Sequence, residues 1–348
     1  MNLQTIKFRD VNVDDYFFDS LRSDYREFRE WFTKKADEHA YLHCDDSGSI
    51  NGFLYQKIEC EELENVTPPQ PNKKRLKIGT LKIDAHGTRL GERFIKKSLD
   101  YAFIEEVEEI YVTIFSKHTG LISLFTKYGF EHKADKKSKN GIELVLIKNM
   151  KIRYNDINLD YPFINLKNQK YLLSIYPKWH SRLLPDSILK TEDEDAILFD
   201  VSHTNSIHKV YLTNMTGTAG LKHGDILVIY RTSDGLGPAY YRSVATSLCV
   251  VDEVRIISTF ASLNDFLDYT RSYSIFSDKE LTDLYNNKRY PVIIKFNYNY
   301  ALPRRVTRRE MIEEIGINEN YWGFFNLTDK QFLEILQRGH VNESITFN

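Results

Sequence analysis

One stretch constrains this chain more than any other. An apolar strand from about Leu76 to Asp84 runs into the loop His86-Gly87-Thr88-Arg89-Leu90-Gly91 and then into an amphipathic helix from about Arg89 to Glu106. Leu90, Phe94, Ile95, Leu99 and Ala102 line the apolar side of that helix. The first turn of a helix carries backbone N–H groups without an internal partner, and the macrodipole adds partial positive charge there. A phosphate or pyrophosphate seated at such a turn satisfies both. Gly87 and Gly91 let the backbone come close to a ligand, and Arg89 and Arg93 can add charge. An isolated match of this kind is as readily a plain structural turn, so the surrounding order of elements has to decide.

That order reads as a mixed α/β domain complete by about residue 150. After a short strand, Leu21, Tyr25, Phe28 and Phe32 recur at helical spacing and predict one helix. Ala40–His43 and Gly52–Ile58 predict a hairpin around the turn-rich run Asp45-Asp46-Ser47-Gly48-Ser49. A Pro-rich loop, Thr67 to Pro71, precedes the strand that enters the glycine loop. Beyond the helix come a strand over Glu109–Phe115, a helix over Thr119–Lys127, and two strands from Phe130 to about Lys148. Residues 151–195 read as a connector that also packs. Over 196–348 strands dominate, at Ala196–Val201, Lys209–Thr213, Asp225–Arg231, Tyr240–Val254 and Pro291–Phe296, with helices at Leu263–Tyr269 and Thr307–Ile315. Short strands around glycine turns predict a small, partly closed barrel.

Composition excludes more than it selects. Lys and Arg (47) nearly cancel Asp and Glu (49), so net charge favours neither nucleic acid nor membrane. Three widely spaced cysteines contain no CxxC pair, which argues against a disulfide framework or zinc knuckle and fits a reducing cytoplasm. His180, His203, His208 and His223 lack metal-ligand spacing. No apolar run has the length of a membrane span, so no membrane and no metal partner is expected.

His86-Gly87-Thr88-Arg89-Leu90-Gly91, with the element order around it, resembles the GCN5-related N-acetyltransferase (GNAT) family over about residues 1–150. That family carries an Arg/Gln-x-x-Gly-x-Gly/Ala loop that cradles the CoA pyrophosphate. His86 stands at the Arg/Gln position and Arg89 at a Gly position, while Gly87, Leu90 and Gly91 agree with the common form. The resemblance implies acetyl-CoA as substrate. Its phosphates would be held by His86, Gly87, Thr88, Arg89, Leu90, Gly91 and Glu92, and its pantetheine arm would pair with the strand carrying Leu81 and Ile83. His118 falls where the family often has Asn, and Phe125 where it often has the Tyr that protonates the leaving thiolate; both would lie beside the cofactor. Phe cannot donate a proton, which leaves Tyr128 and Asp84 as candidate acid and base. A large side chain at Gly91 would fill the phosphate seat.

The second half resembles PUA-like barrels, including the ASCH group, on Leu221-Lys222-His223-Gly224-Asp225 entering the strand Ile226–Tyr230. Such barrels often bind RNA or a modified base. Arg231, Tyr241, Arg242, Arg304 and Arg305 are the candidate nucleic-acid contacts, offering charge and stacking. The combined expectation is a cytoplasmic acetyl-CoA-dependent N-acetyltransferase whose PUA-like domain recruits an acceptor, an RNA-linked one such as a tRNA or aminoacyl-tRNA by the resemblance, with a toxin or regulatory role by analogy. Two rivals stay open: an acetyltransferase for a protein or polyamine amine, and a non-catalytic acetyl-CoA sensor that binds RNA.

Overall fold

The computed structural model describes residues 3–45, 47–84, 87–193 and 200–348. The chain divides into two compact units, residues 1–154 and 155–348.

The first unit is built on a seven-stranded sheet. Its strands are β1 (Leu3–Lys7), β2 (His39–Cys44), β3 (Ile50–Leu63), β4 (Gln70–Ile83), β5 (Glu109–Phe115), β6 (Glu131–Ser138) and β7 (Gly141–Asn149), in the order β1-β2-β3-β4-β5-β7-β6. Every pair is antiparallel except β4 with β5. Four helices accompany it: α1 (Asp19–Asp24), α2 (Phe28–Lys34), α3 (Leu90–Ile104) and α4 (Thr119–Lys127).

The two sheet faces follow from strand alternation, since directly opposed residues share a face. One face carries Leu54, Leu76, Ile78, Leu81, Ile83, Ile110 and Val112, as the β3–β4 and β4–β5 registers require. Helix α3 lies there: a Cβ at Gly52 would sit 2.7 Å from Phe94 Cε2 and 3.0 Å from Leu90 Cδ2, so glycine lets the helix approach β3. The other face carries Phe53 and Tyr55, which pack with Phe8, Phe18, Phe28 and Phe32. Phe53 meets the rings of Phe8, Phe18 and Phe32 at centroid distances of 5.5, 5.4 and 5.9 Å.

The single helix expected over Leu21–Phe32 is two. The chain turns extended at Tyr25 (φ −128°, ψ 104°). Its hydroxyl there donates to Glu143 at 2.6 Å, and its ring lies 5.4 Å from that of Phe115. Tertiary contacts on the sheet thus outweigh the helical spacing.

The second unit holds a six-stranded sheet of β9 (Lys170–Ile175), β10 (His208–Thr213), β11 (Ile226–Arg231), β12 (Val244–Ile256), β13 (Val292–Thr307) and β14 (Phe324–Leu327), in the order β10-β13-β12-β11-β9-β14. The short strands β8 (Ile164–Asn165) and β15 (Thr346–Phe347) pair with each other. Helices α5 (Pro177–Leu183), α6 (Leu263–Thr270), α7 (Asp278–Asn287), α8 (Arg308–Glu313) and α9 (Asp329–Arg338) flank the sheet strands in sequence. Among the described residues the sheet is open, with β10 and β14 at its edges, rather than closed into the expected barrel. The expected strand Ala196–Val201 lies mostly outside the described residues. The stretch 151–195, expected as a connector, supplies β9, which pairs on both sides. The strand expected from Tyr240 begins at Val244, because Ala239–Arg242 forms a helical turn after Pro238. The strand expected over Pro291–Phe296 runs on to Thr307. Asn297 and Asn299 look like turn residues in sequence. Their amides are instead taken up within the strand by Ile157 O, Asn158 Oδ1 and Pro162 O, each at 3.1 Å.

Phe53→Ala is expected to destabilise the first unit by roughly 3–5 kcal/mol, the usual cost of emptying a fully buried aromatic site. Urea unfolding of wild type and variant checks it; a loss under about 1 kcal/mol would contradict the central place given to this ring.

Candidate functional site

The site begins where two strands stop pairing. Strands β4 and β5 run parallel and pair only over Arg75–Ile78 with Glu109–Val112. Immediately afterwards β4 bulges: Tyr55 of β3 faces Thr80 and Gln56 faces Ile78, leaving Gly79 as the extra residue. A bulge bends the strand that carries it. Glycine is needed there, since a Cβ at Gly79 would lie 2.7 Å from Tyr55 Cδ1. Beyond the bulge β4 continues to Ile83 bonded to β3, and β5 continues to Phe115 bonded to β7. Between them lies a gap edged by strand backbone, whose N–H and C=O groups require partners from outside the sheet.

The far end of β4 leads to the N-terminus of α3. His86 lies outside the described residues. Gly87 takes φ +83° with open space where a Cβ would be. Arg89, the N-cap, takes the left-handed conformation (φ 58°, ψ 26°) normally left to glycine, at the position where the GNAT pattern has Gly. The guanidinium of Arg89 lies 3.1 Å from Glu92 Oε1, and Lys127 Nζ of α4 lies 3.6 Å from the same oxygen. Glu92 is buried and serves to tie α3 to α4. Thr88 is half-buried beside this turn, and Leu90 is in the core.

Gly91 has a different role from the one expected. A Cβ there would sit 2.8 Å from Leu124 Cδ2 and 3.4 Å from Ile83 Cδ1. Gly91 is what lets α3, α4 and β4 close on each other, and a large residue would break that packing before it reached a ligand. Leu81 and Ile83 are half-buried on β4, on the same face as α3. Asp84 follows them with its side chain 47% exposed and 3.9 Å from Lys82 Nζ. His118 is the N-cap of α4, and its Nε2 lies 3.5 Å from Asp24 Oδ2.

Phe125 and Tyr128 are both completely buried, Phe125 against the ring of Phe130 at 4.9 Å. Tyr128 is the C-cap of α4, and its carbonyl accepts from Lys148 Nζ at 2.9 Å.

A group the sequence reading missed lies on the opposite face of the sheet. Glu59 of β3 is buried, and Lys57 Nζ and Lys77 Nζ lie 2.5 and 3.3 Å from its Oε1. The Tyr111 hydroxyl donates to its other oxygen. Burial raises the Tyr111 hydroxyl well above the usual phenol range, and the Glu59 hydrogen bond adds to it. Burial lowers the Lys77 ammonium from its ordinary value against the opposing pull of Glu59, with Lys57 and Lys136 adding repulsion. The alternation of Lys57 with Glu59, and of Arg75 with Lys77, on strands was the available signal: charges recurring at every second position of a central strand need partners.

In the second unit the candidate nucleic-acid residues do not form one open basic face. Arg231 is buried and pairs with Glu192 at 3.0 Å. Arg305 donates to Thr246 O at 3.5 Å and Ile188 O at 3.3 Å. Arg242 donates to Asp234 at 2.6 Å. Arg304 donates to Arg338 O at 3.1 Å and pairs with Glu310. Tyr241 is 61% exposed, and the Arg304 and Arg242 side chains are 42% and 37% exposed. Arg231, buried against a carboxylate, is a structural cation first. At their centre His180 is fully buried and its Nε2 lies 2.8 Å from Thr246 Oγ1. Burial, then Arg231 and Arg305, hold it down at about 3. Among the described residues no three His, Cys, Asp or Glu side chains gather as a metal site, and no helix is long and apolar enough to cross a membrane.

No family model matches the chain, and no curated protein sequence matches it. Among solved structures it is similar to ASCH from Zymomonas mobilis, at 8% identity, covering 49% of this chain and 94% of that one, TM-score 0.29. It is also similar to Naa20 of Chaetomium thermophilum in complex with a bisubstrate analogue, at 14% identity, covering 44% and 93%, TM-score 0.31. A third is a GNAT-family acetyltransferase from Streptococcus agalactiae 2603, at 13% identity, covering 36% and 72%, TM-score 0.29. At these scores the likenesses carry no argument, and the functional reading rests on the geometry of the chain itself.

His180 generates a pH prediction. Its folded pKa lies below the unfolded value of about 6.5, so the unfolded chain takes up the proton first. Stability is whole above about pH 6.5 and falls as pH drops toward 3, by about 2 kcal/mol at pH 5. Urea unfolding at pH 7.5 and 5 should show a smaller acid loss for His180→Gln than for wild type; equal losses would remove His180 as a source.

Proposed function

We propose that the first unit is an acetyl-CoA-dependent N-acetyltransferase and that the second unit, a PUA-like domain, recruits the amine acceptor. One observation carries this reading: a parallel strand pair that opens after Ile78 and Val112, with a left-handed turn and the N-terminus of α3 at the end of the same strand. An elongated ligand with an anion at one end and amides along its length fits both parts. The amides would take the backbone groups that β5 leaves on β4, as a further strand would. The pyrophosphate would sit over the first turn of α3, on the N–H groups of Gly87 to Gly91. In the reaction, the acceptor nitrogen attacks the thioester carbonyl, the C–N bond forms and the C–S bond breaks. CoA leaves as thiolate and the amine proton passes to a base. Positioning in the gap accounts for much of such a rate.

The acceptor is an amine presented from the face opposite α3. Each of the four candidate arginines already has a partner within the second unit, and they do not favour RNA over a protein or polyamine acceptor. Labelled acetyl-CoA offered with total tRNA and with total protein separates these acceptors by which fraction takes the label.

The cofactor assignment is tested at Thr88, which stands half-buried on the loop that enters α3. Thr88→Glu places a carboxylate beside the phosphate seat and is expected to weaken acetyl-CoA binding at least roughly tenfold, since like charges in one seat cost more than about 1.4 kcal/mol. Calorimetric titration of wild type and variant reads this. Equal affinities in two folded proteins would sink the assignment.

A further inference from the structure

The acetyltransferase reading leaves open which group takes the acceptor's proton, since Asp84, the candidate base, stands beyond the end of β4 beside the phosphate seat, with its carboxylate 3.9 Å from Lys82 Nζ. The distance along β4 narrows the search. A phosphate seat at the α3 turn fixes one end of the cofactor beyond Ile83. From Ile83 back to Ile78, where the strands rejoin, β4 spans about 17 Å at ~3.3 Å per residue. An extended pantetheine arm is of that length, so its thioester end comes to the root of the gap.

Lys77 stands at that root. It pairs with Tyr111 in the last rung but one before the strands part. Its side chain is on the face opposite α3, with Lys57, Glu59 and Tyr111, as the registers require. This face is not closed over it. The aromatic cluster under α1 and α2 covers Phe53 and Tyr55 on one side. A second apolar cluster, of Leu63, Val66, Ala134, Val145 and Ile147 around Tyr111, covers the other. Between them runs a polar strip in which Lys57, Lys77 and Lys136 are 41%, 29% and 36% exposed. An amine entering along this strip meets the thioester from the side away from α3.

We propose that Lys77 is the base that takes the proton from the acceptor amine, with Glu59 and Tyr111 as positioning residues that hold its nitrogen at the root of the gap. This rests on the acetyltransferase reading above. The proton moves from the acceptor nitrogen to a neutral Lys77 Nζ as the C–N bond forms. The C–S bond then breaks and CoA thiolate leaves. The ammonium of Lys77 returns its proton to water through the strip or to the thiolate, so no other reactant is needed. The surroundings of Lys77 lower its pKa from the ordinary value: burial disfavours its charge most, Lys57 from β3 and Lys136 from β6 repel it, and Glu59 and the Tyr111 ring, 5.5 Å from Nζ, oppose them. Two ammonium groups share that one carboxylate, so Lys77 can be neutral while Glu59 keeps a partner.

The merely structural alternative is that Lys77 knits β3 to β4 by its ion pair. Lys77→Arg separates the two, because a guanidinium keeps the charge and the pairing with Glu59 but does not release its proton. The full-length chain is titrated with acetyl-CoA, and thiol release is followed with ethylamine and with trifluoroethylamine as probe acceptors. The variant is expected to unfold at the wild-type urea concentration and to bind acetyl-CoA as well as wild type. Its thiol release with ethylamine should fall about a hundredfold, the scale of a lost general base. The fall should be smaller with the weakly basic trifluoroethylamine, whose nitrogen is the more acidic once bonded to the thioester carbon and needs the base less. The wild-type rise of rate with pH should flatten. A variant as active as wild type at every pH overturns the proposal.

A second readout needs no acceptor. After reductive carbon-13 methylation, the Lys77 resonance, assigned by its absence in Lys77→Arg, should titrate below those of the exposed lysines and shift when acetyl-CoA is added. A resonance that titrates with the others, or that bound acetyl-CoA leaves unmoved, also overturns it. A wild-type chain that does not bind acetyl-CoA fails at the cofactor assignment instead, which the same titration reveals first.

Discussion

Everything functional in the first unit depends on the opening of the β4–β5 pair. Parallel strands held by backbone hydrogen bonds do not part without leaving donors and acceptors to be satisfied in another way. Here the bulge at Gly79 turns β4 away, and the loss is confined to one edge of each strand, because β3 and β7 keep their own pairings to the strand ends. Helix α1 lies across the open end. The Lys82 ammonium on β4 donates to Ser20 Oγ at 2.7 Å at the start of α1, and Asp24 at its end pairs with Lys117 beyond β5. The gap is thus held at its root by strand pairing and at its mouth by a single helical turn, while its edges stay polar.

The two faces of that sheet do different work. The α3 side is apolar and closely packed, with Gly52 and Gly91 removing Cβ atoms where helix meets strand and helix meets helix. The opposite side is apolar only at its ends and ionic in the middle. A buried carboxylate such as Glu59 is tolerated because Lys57, Lys77 and the Tyr111 hydroxyl replace the water it has lost. The second unit repeats the principle around His180, where Arg231, Arg305, Glu192, Thr246 and Ser181 satisfy one another inside the fold. That is why Arg231 and Arg305, which look like part of a nucleic-acid surface in one dimension, are tied into the fold in three.

Much of the element order was legible because local signals agreed with the global fold. The helix α3, the strand β5 and the helix α4 lie within two residues of where periodicity and glycine punctuation put them. The failures have physical causes of their own. Tyr25 leaves the helix because its hydroxyl and ring find Glu143 and Phe115, both more than eighty residues away in sequence. Helices α7 and α9 went unread although both begin with a capping box, Ser277 with Glu280 and Thr328 with Gln331; their short apolar stripes are buried only by tertiary contacts. Strand β13 is long because carbonyls of the 157–162 region accept from the side-chain amides of Asn297 and Asn299, and no window of sequence contains both partners.

By itself the sequence determined that a strand meets a helix at a glycine turn near residue 87, that mixed α/β elements follow one another up to about residue 150, and that strands dominate the second half. These are short-range matters, fixed by backbone sterics, side-chain period and unpaired amide groups within a few residues of each other. Only the tertiary structure decided where β4 leaves β5, which glycine faces a helix instead of a ligand, and which charges are inside. Those depend on what stands across a strand or beneath a helix, and burial sets whether a lysine such as Lys77 is a solvated cation or a desolvated amine.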